Sequence, residues 1–102
     1  MSVITVTKEN FETEILKTTK TVLLDFWASW CGPCRMVSPT VDLIADENPQ
    51  FTVGKVNVDE QPELAAAFKI ESIPTLVVLK GGKIANISVG VKTKEQILEL
   101  LK

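Results

Sequence analysis

Cys31 and Cys34 are the only cysteines of this 102-residue chain, and they stand three positions apart as Cys31-Gly32-Pro33-Cys34. At the start of a helix that spacing brings the two Cβ atoms to roughly 5–6 Å, close enough to join as a disulfide after small adjustment. Closing so short a loop removes little chain entropy, so a structural staple is a poor explanation. Zinc wants four Cys or His ligands, or three and a water. The chain has no histidine beside these two cysteines, so no metal site is expected. What remains is thiol chemistry. A helix N-terminus leaves N–H groups unpaired and carries a positive partial charge, and both favour thiolate over thiol. Pro33 lacks an N–H that the first turn does not need, and Gly32 leaves room for another backbone to approach. Cys31, at the helix end, is expected to attack a partner disulfide. Cys34, one turn deeper, is expected to resolve the mixed disulfide that results. A chance pair of inert buried thiols is the competing reading, and the apolar strand before the motif and the helix after it weigh against that.

With no His and no Tyr in the chain, a proton acceptor near neutral pH must be a carboxylate, a lysine or a thiolate. Asp25 sits among Leu23, Leu24, Phe26 and Trp27. If its side chain is desolvated there, its pKa rises and it can take the proton of Cys34. The alternative is an aspartate that reaches solvent or a lysine at the strand end. Lys55 likewise has two readings, an ionic neighbour of Asp25 or a solvated lysine. Trp27 reads as core packing, and Trp30, adjoining the motif, as a side chain that shields or shapes the site. Pro74 begins a strand, where proline is tolerated, and base rates give no reason to expect a cis bond before it.

The elements that must hold these groups follow from periodicity. Val3 to Val6 reads as a short strand, and Asn10 as the cap of a first helix with Phe11, Ile15 and Leu16 inward. Thr21 to Trp27 is nearly all apolar or β-branched and suits a central parallel strand buried on both faces. The helix after the cysteines should run to about Asn48, with Met36, Val37, Val41, Ile44 and Ala45 on its buried face and a kink at Pro39. Thr52 to Val58 is the next strand, and Pro62 opens a short helix reaching Phe68. Thr75 to Leu79 and Lys83 to Val89 flank Gly81-Gly82, a two-residue hairpin signal. Thr93 and Gln96 form a capping-box pattern for a last helix with Ile97, Leu98 and Leu101 inward. The order β-α-β-α-β-α-β-β-α implies an α/β fold, a mixed sheet with helices on both faces. Chemistry in such sheets sits beyond the carboxyl end of a central strand, which is where Cys31 and Cys34 fall.

Composition narrows the function further. The length suits one domain spanning residues 1–102, and an apolar fraction of 45% supports a folded core. No apolar run approaches the roughly 18 residues of a membrane span, so no membrane association is expected. Eleven basic against thirteen acidic residues give a net charge of −2, and without a basic cluster nucleic acid is a poor partner. The first residues carry no basic segment followed by an apolar stretch, so a cytoplasmic location is the expectation; a monomer is expected as well.

The stretch Asp25-Phe26-Trp27-Ala28-Ser29-Trp30-Cys31-Gly32-Pro33-Cys34-Arg35-Met36 resembles the active-site signature of the thioredoxin family in its small bacterial form. The resemblance continues through Pro39, Lys55-Val56-Asn57-Val58-Asp59, Ile73-Pro74-Thr75, Gly82 and Gly90. It implies the thioredoxin fold, a central mixed five-stranded sheet flanked by four helices. It implies reduction of protein disulfides by dithiol–disulfide exchange, with Asp25 the buried carboxylate that handles protons, Lys55 near it, and Pro74 cis beside the cysteines. An apolar docking surface of Trp30, Gly32, Pro33, Ile73, Pro74, Gly90 and Val91 is implied as well. So are the partners: disulfide-containing client proteins, and a flavoprotein thioredoxin reductase that draws on NADPH. No bound cofactor is implied beyond the redox-active disulfide itself. Three positions depart from the common pattern: Lys69 stands where many relatives carry glycine, Leu79 replaces a frequent phenylalanine, and Lys83 a frequent acidic residue. Two rivals remain, a disulfide isomerase or oxidant on the same fold, against which Gly32-Pro33 argues, and a redox-silent docking module, against which the intact cysteines and Asp25 argue.

Overall fold

Five consecutive buried residues, Val22–Phe26, form the middle of strand β2 (Thr21–Trp27). Such a run is stable only when both of its faces are covered. The computed structural model, which describes residues 2–102, provides that cover. Its sheet has the order β1-β3-β2-β4-β5, with β1 (Val3–Thr5), β3 (Phe51–Asn57), β4 (Thr75–Lys80) and β5 (Lys83–Val89) around β2. β3 pairs in parallel with both β1 and β2, whereas β4 runs antiparallel to β2 and β5 antiparallel to β4. The central strand is therefore parallel to β3 and antiparallel to β4, the mixed sheet that the order of elements implies. Sequential β4 and β5 are joined by a tight hairpin, which makes those two strands antiparallel to each other. Gly81 and Gly82 make that hairpin with φ of 60° and 76°, the two positive values that a type I′ turn needs.

The strands alternate between two cores. Leu23, Val53, Leu76 and Val78 face α1 (Gly32–Glu47) and α3 (Lys94–Leu100), meeting Val37, Val41, Ile44, Ile97 and Leu101. Val22, Leu24, Phe26, Val56, Val77 and Leu79 face the other way, against Ile15 of a π-helical turn (Glu12–Leu16) and Leu64 of α2 (Pro62–Ala67). Gly54 lets this second layer close. A Cβ there would stand 2.5 Å from Val6 Cγ2 and 3.2 Å from Leu24 Cδ2, well inside van der Waals contact. Helix α3 starts with the expected capping box, in which Thr93 Oγ1 accepts from the Gln96 N–H and Gln96 Oε1 from the Thr93 N–H.

Three sequence expectations are corrected. Asn10 does not cap the first helical turn. Its side chain instead accepts from the Thr7 N–H and donates to the Thr5 carbonyl, the local bonding by which asparagine competes with a helix. Leu16 is 40% exposed, because only Ile15 of that turn reaches the core. Met36 is 69% exposed, since the buried stripe of α1 runs through Cys34, Val37, Val41, Ile44 and Ala45 and Met36 falls outside it.

Candidate active site

The carboxyl end of β2 delivers the chain through Ala28, Ser29 and Trp30 to Cys31, the N-cap residue of α1. Cys31 and Cys34 are joined as a disulfide, with their Cα atoms 5.3 Å apart. Cys31 Sγ also accepts from the Cys34 N–H at 3.2 Å, one of the helix's first free donors. The cysteines pack with Ala28 against half-buried Trp27, Val58 and Ile73. In this oxidised form Cys31 is 4% and Cys34 2% exposed, so Cys31 is barely the more open of the two. Arg35 Nη1 donates to the Ser29 carbonyl and ties the loop to the helix.

A second segment closes over the pair. The Ile73–Pro74 peptide is cis, and the Ile73 carbonyl oxygen lies 3.8 Å from Cys31 Sγ. The Pro74 carbonyl accepts from the Gly90 N–H at 2.8 Å, which binds the end of β5 to the same rim. Gly32, Pro33 and Val91 are exposed around it. Trp30 is 67% exposed, and its Nε1 donates to Asp59 Oδ2 at 2.8 Å. Trp30, Val58 and Ile73 line one shallow pocket on this face. Cys31, Cys34, Ile73, Pro74 and Gly90 are thus brought together, with Trp30, Gly32, Pro33 and Val91 on the surface about them.

On β2, Asp25 is completely buried, which excludes the solvent-reaching reading. Neither carboxylate oxygen has a hydrogen-bond partner within the protein. Burial pushes its pKa up from 3.8 to about 6, against the pull of Lys55 and with a smaller push from Asp42. Lys55 stands opposite Asp25 in the β2–β3 register, yet its ammonium donates to Ser38 Oγ at 2.6 Å and pairs with Asp42 Oδ1 at 2.7 Å. It acts on Asp25 by charge and not by contact. The Trp27 indole N–H is likewise buried without a partner.

Sequence reasoning missed Ser38, Asp42 and the bond of Asp59. The signal for the first two was available: Cys34, Ser38 and Asp42 recur at i, i+4 and i+8 of one helix, so they share a face. Asp59 is beyond β3, 29 residues from its partner, and no local pattern couples the two. Among the described residues no three His, Cys, Asp or Glu side chains lie close enough to hold a metal ion, and no helix is long and apolar enough to cross a membrane.

Comparison with known proteins agrees with this geometry. The thioredoxin family model matches residues 2–102. A thioredoxin of Chlorobaculum thiosulfatiphilum is 48% identical over 92 residues, which are 89% of this chain and 85% of that one. A thioredoxin of Acidithiobacillus ferridurans is 43% identical over 101 residues, covering 98% of this chain and 94% of that protein. A bifunctional thioredoxin reductase/thioredoxin of Mycobacterium leprae is 46% identical over 96 residues, 93% of this chain but 21% of the larger protein. A Cys-Gly-Pro-Cys disulfide at the head of α1, the mixed five-stranded sheet and a family match over nearly every residue carry one conclusion: this chain belongs to the thioredoxin family and is a thiol–disulfide oxidoreductase.

Proposed function

We propose that the chain, acting as a single domain, reduces disulfides in client proteins, with Cys31 as the attacking thiolate, Cys34 as the resolving thiol and Asp25 as the proton acceptor. The observation that carries the assignment of Cys31 is its place at the N-cap of α1, where the Cys34 N–H already points at its sulfur. An anionic sulfur gains most from such a donor and from the helix dipole. In the reduced protein the Cys31 thiolate attacks one sulfur of a client disulfide. The client S–S bond breaks, the other client sulfur leaves as a thiolate, and a Cys31–client mixed disulfide forms. Cys34 then gives its proton to Asp25 and attacks Cys31 Sγ. The second client sulfur leaves, Cys31–Cys34 closes, and two electrons have passed to the client. Asp25 suits the proton step because a carboxyl near pH 6 is ionised enough at pH 7 to accept and weak enough as an acid to return the proton.

Trp30, Gly32, Pro33, Ile73, Pro74, Gly90 and Val91 form the docking rim in this reading, with the Ile73 carbonyl beside the reactive sulfur as a backbone acceptor for a client strand. Re-reduction falls to a thioredoxin reductase with NADPH as the electron source. The fused reductase/thioredoxin of Mycobacterium leprae supports that pairing. A cytoplasmic location and a monomeric state complete the proposal.

The test is reduction of insulin disulfides with dithiothreitol as electron source. The native chain should accelerate precipitation of the released B chain, and Cys31→Ser should abolish the acceleration. Equal rates for the two proteins would refute a catalytic role for the pair.

A further inference from the structure

Lys55 stands directly across from Asp25 in the β2–β3 register, where an ion pair would be the simplest outcome for a buried carboxylate. It does not form. The ammonium is held from the α1 side by two acceptors, Ser38 Oγ at 2.6 Å and Asp42 Oδ1 at 2.7 Å, and both Asp25 oxygens are left without a partner. We propose that Ser38 and Asp42 are positioning residues, a two-point clamp that keeps the Lys55 ammonium off the Asp25 carboxylate and so sets the pH range in which Asp25 titrates. The consequence for Cys34 rests on the proton-acceptor reading given above.

The charges facing Asp25 are few. β3 supplies Lys55, and α1 supplies Asp42 with Cys34 and Ser38 on the same helix face. β4 places Leu76 opposite Asp25, and α3 brings Ile97 and Leu101 into that layer, so neither adds a charge. Arg35 is turned away to the Ser29 carbonyl. The balance at Asp25 is therefore burial and a smaller push from Asp42 on one side and, on the other, the pull of Lys55 at the distance where it is held. Within the clamp, the Asp42 charge also offsets that of Lys55. Burial accordingly dominates and the carboxyl stands at about 6. Release of the ammonium to make direct contact would lower a carboxyl pKa by about 1–3 units. Ser38 ties the clamp to the reacting sulfur as well, since it lines with Cys34 a pocket of about 170 Å³.

The experiment follows the Asp25 side-chain carboxyl by carbon-13 NMR across pH in the intact, oxidised chain. Ser38→Ala/Asp42→Asn should lower the titration midpoint by about one unit, and Asp42→Asn alone, at a mostly exposed position, should lower it by part of that. Made in a Lys55→Met background, the same two substitutions should leave only the smaller fall that the Asp42 charge itself accounts for, because the rest of the effect passes through the ammonium. A midpoint that stays in place or rises in the double variant overturns the clamp. The pH profile of mixed-disulfide release, measured in parallel, separates the two readings. A profile that shifts with the midpoint supports both. A midpoint that falls while the release profile stays fixed upholds the clamp and refutes Asp25 as the acceptor for Cys34.

Discussion

The indole Nε1 of Trp30 donates to Asp59 Oδ2 at 2.8 Å and so fixes the most prominent side chain of the site from a loop beyond β3. An exposed tryptophan without such a tether would sample several rotamers, and ordering it would weaken docking.

Asp59→Ala should therefore raise KM for a protein client, by about two- to fivefold if the tether contributes about 0.5–1 kcal/mol. Reduction of a small disulfide that needs no docking should be unaffected. Asp59→Asn keeps a side-chain oxygen as acceptor and should restore most of the loss. Steady-state kinetics on both substrates decide the matter, and an equal loss on each would remove Trp30 docking as the cause.

The roles of the two thiols separate by trapping. Cys34→Ser leaves Cys31 with its N-cap donor but no resolving thiol, so it should accumulate stable mixed disulfides with clients on non-reducing gels. Cys31→Ser should accumulate none. The reverse pattern would exchange the two roles.

Much of this site was legible because its chemistry sits in consecutive residues. Cys31, Gly32, Pro33 and Cys34 lie at the junction of a buried strand and a helix, and both periods show in the sequence. The Thr93–Gln96 box and the Gly81-Gly82 turn were legible for the same reason, since each bond lies within four residues. What failed to show was tertiary. The exposure of Leu16 and Met36 depends on how wide the core is beneath each turn, and helical spacing alone leaves that arc loose. The commitment of Lys55 to Ser38 and Asp42 depends on where α1 crosses β3. The shift in register at Val78/Leu79 against β5 has no signal in the residues that carry it.

Lys69 carries a direct structural cost. It follows α2 with φ of 56°, its N–H bonded to the Ala66 carbonyl and that of Ile70 to the Ala65 carbonyl, the double bond of a Schellman ending. A left-handed lysine costs about 1–2 kcal/mol, while glycine would add about 0.4–1 kcal/mol of unfolded-state freedom. Lys69→Gly should thus stabilise the fold by about 0.5–1 kcal/mol, read as a higher urea midpoint at unchanged m. A lower midpoint would mean that the lysine side chain makes compensating contacts.

Asp25 offers the sharpest test, because stability and activity should move in opposite directions. Its folded pKa of about 6 lies above the ordinary 3.8, with burial as the first cause. Between those values the folded state binds more protons than the unfolded state. The stability associated with the protonated carboxyl is then fully present below pH 3.8 and is lost as pH rises through about 6. Asp25→Asn removes that titration. Its buried amide adds an offset that does not vary with pH, so the informative quantity is the stability gap between variant and parent at each pH. That gap should widen in favour of the variant by about 2 kcal/mol from pH 4 to pH 8, as urea unfolding at several pH values would report. If Asp25 is the acceptor proposed above, mixed-disulfide release should slow over the same range, since the chain holds no histidine to replace it. A group tuned for proton transfer at the expense of the fold predicts this pairing. A gap that stays flat with pH would show that Asp25 has an ordinary carboxyl in the folded protein, and its assignment as the proton acceptor would fail with it.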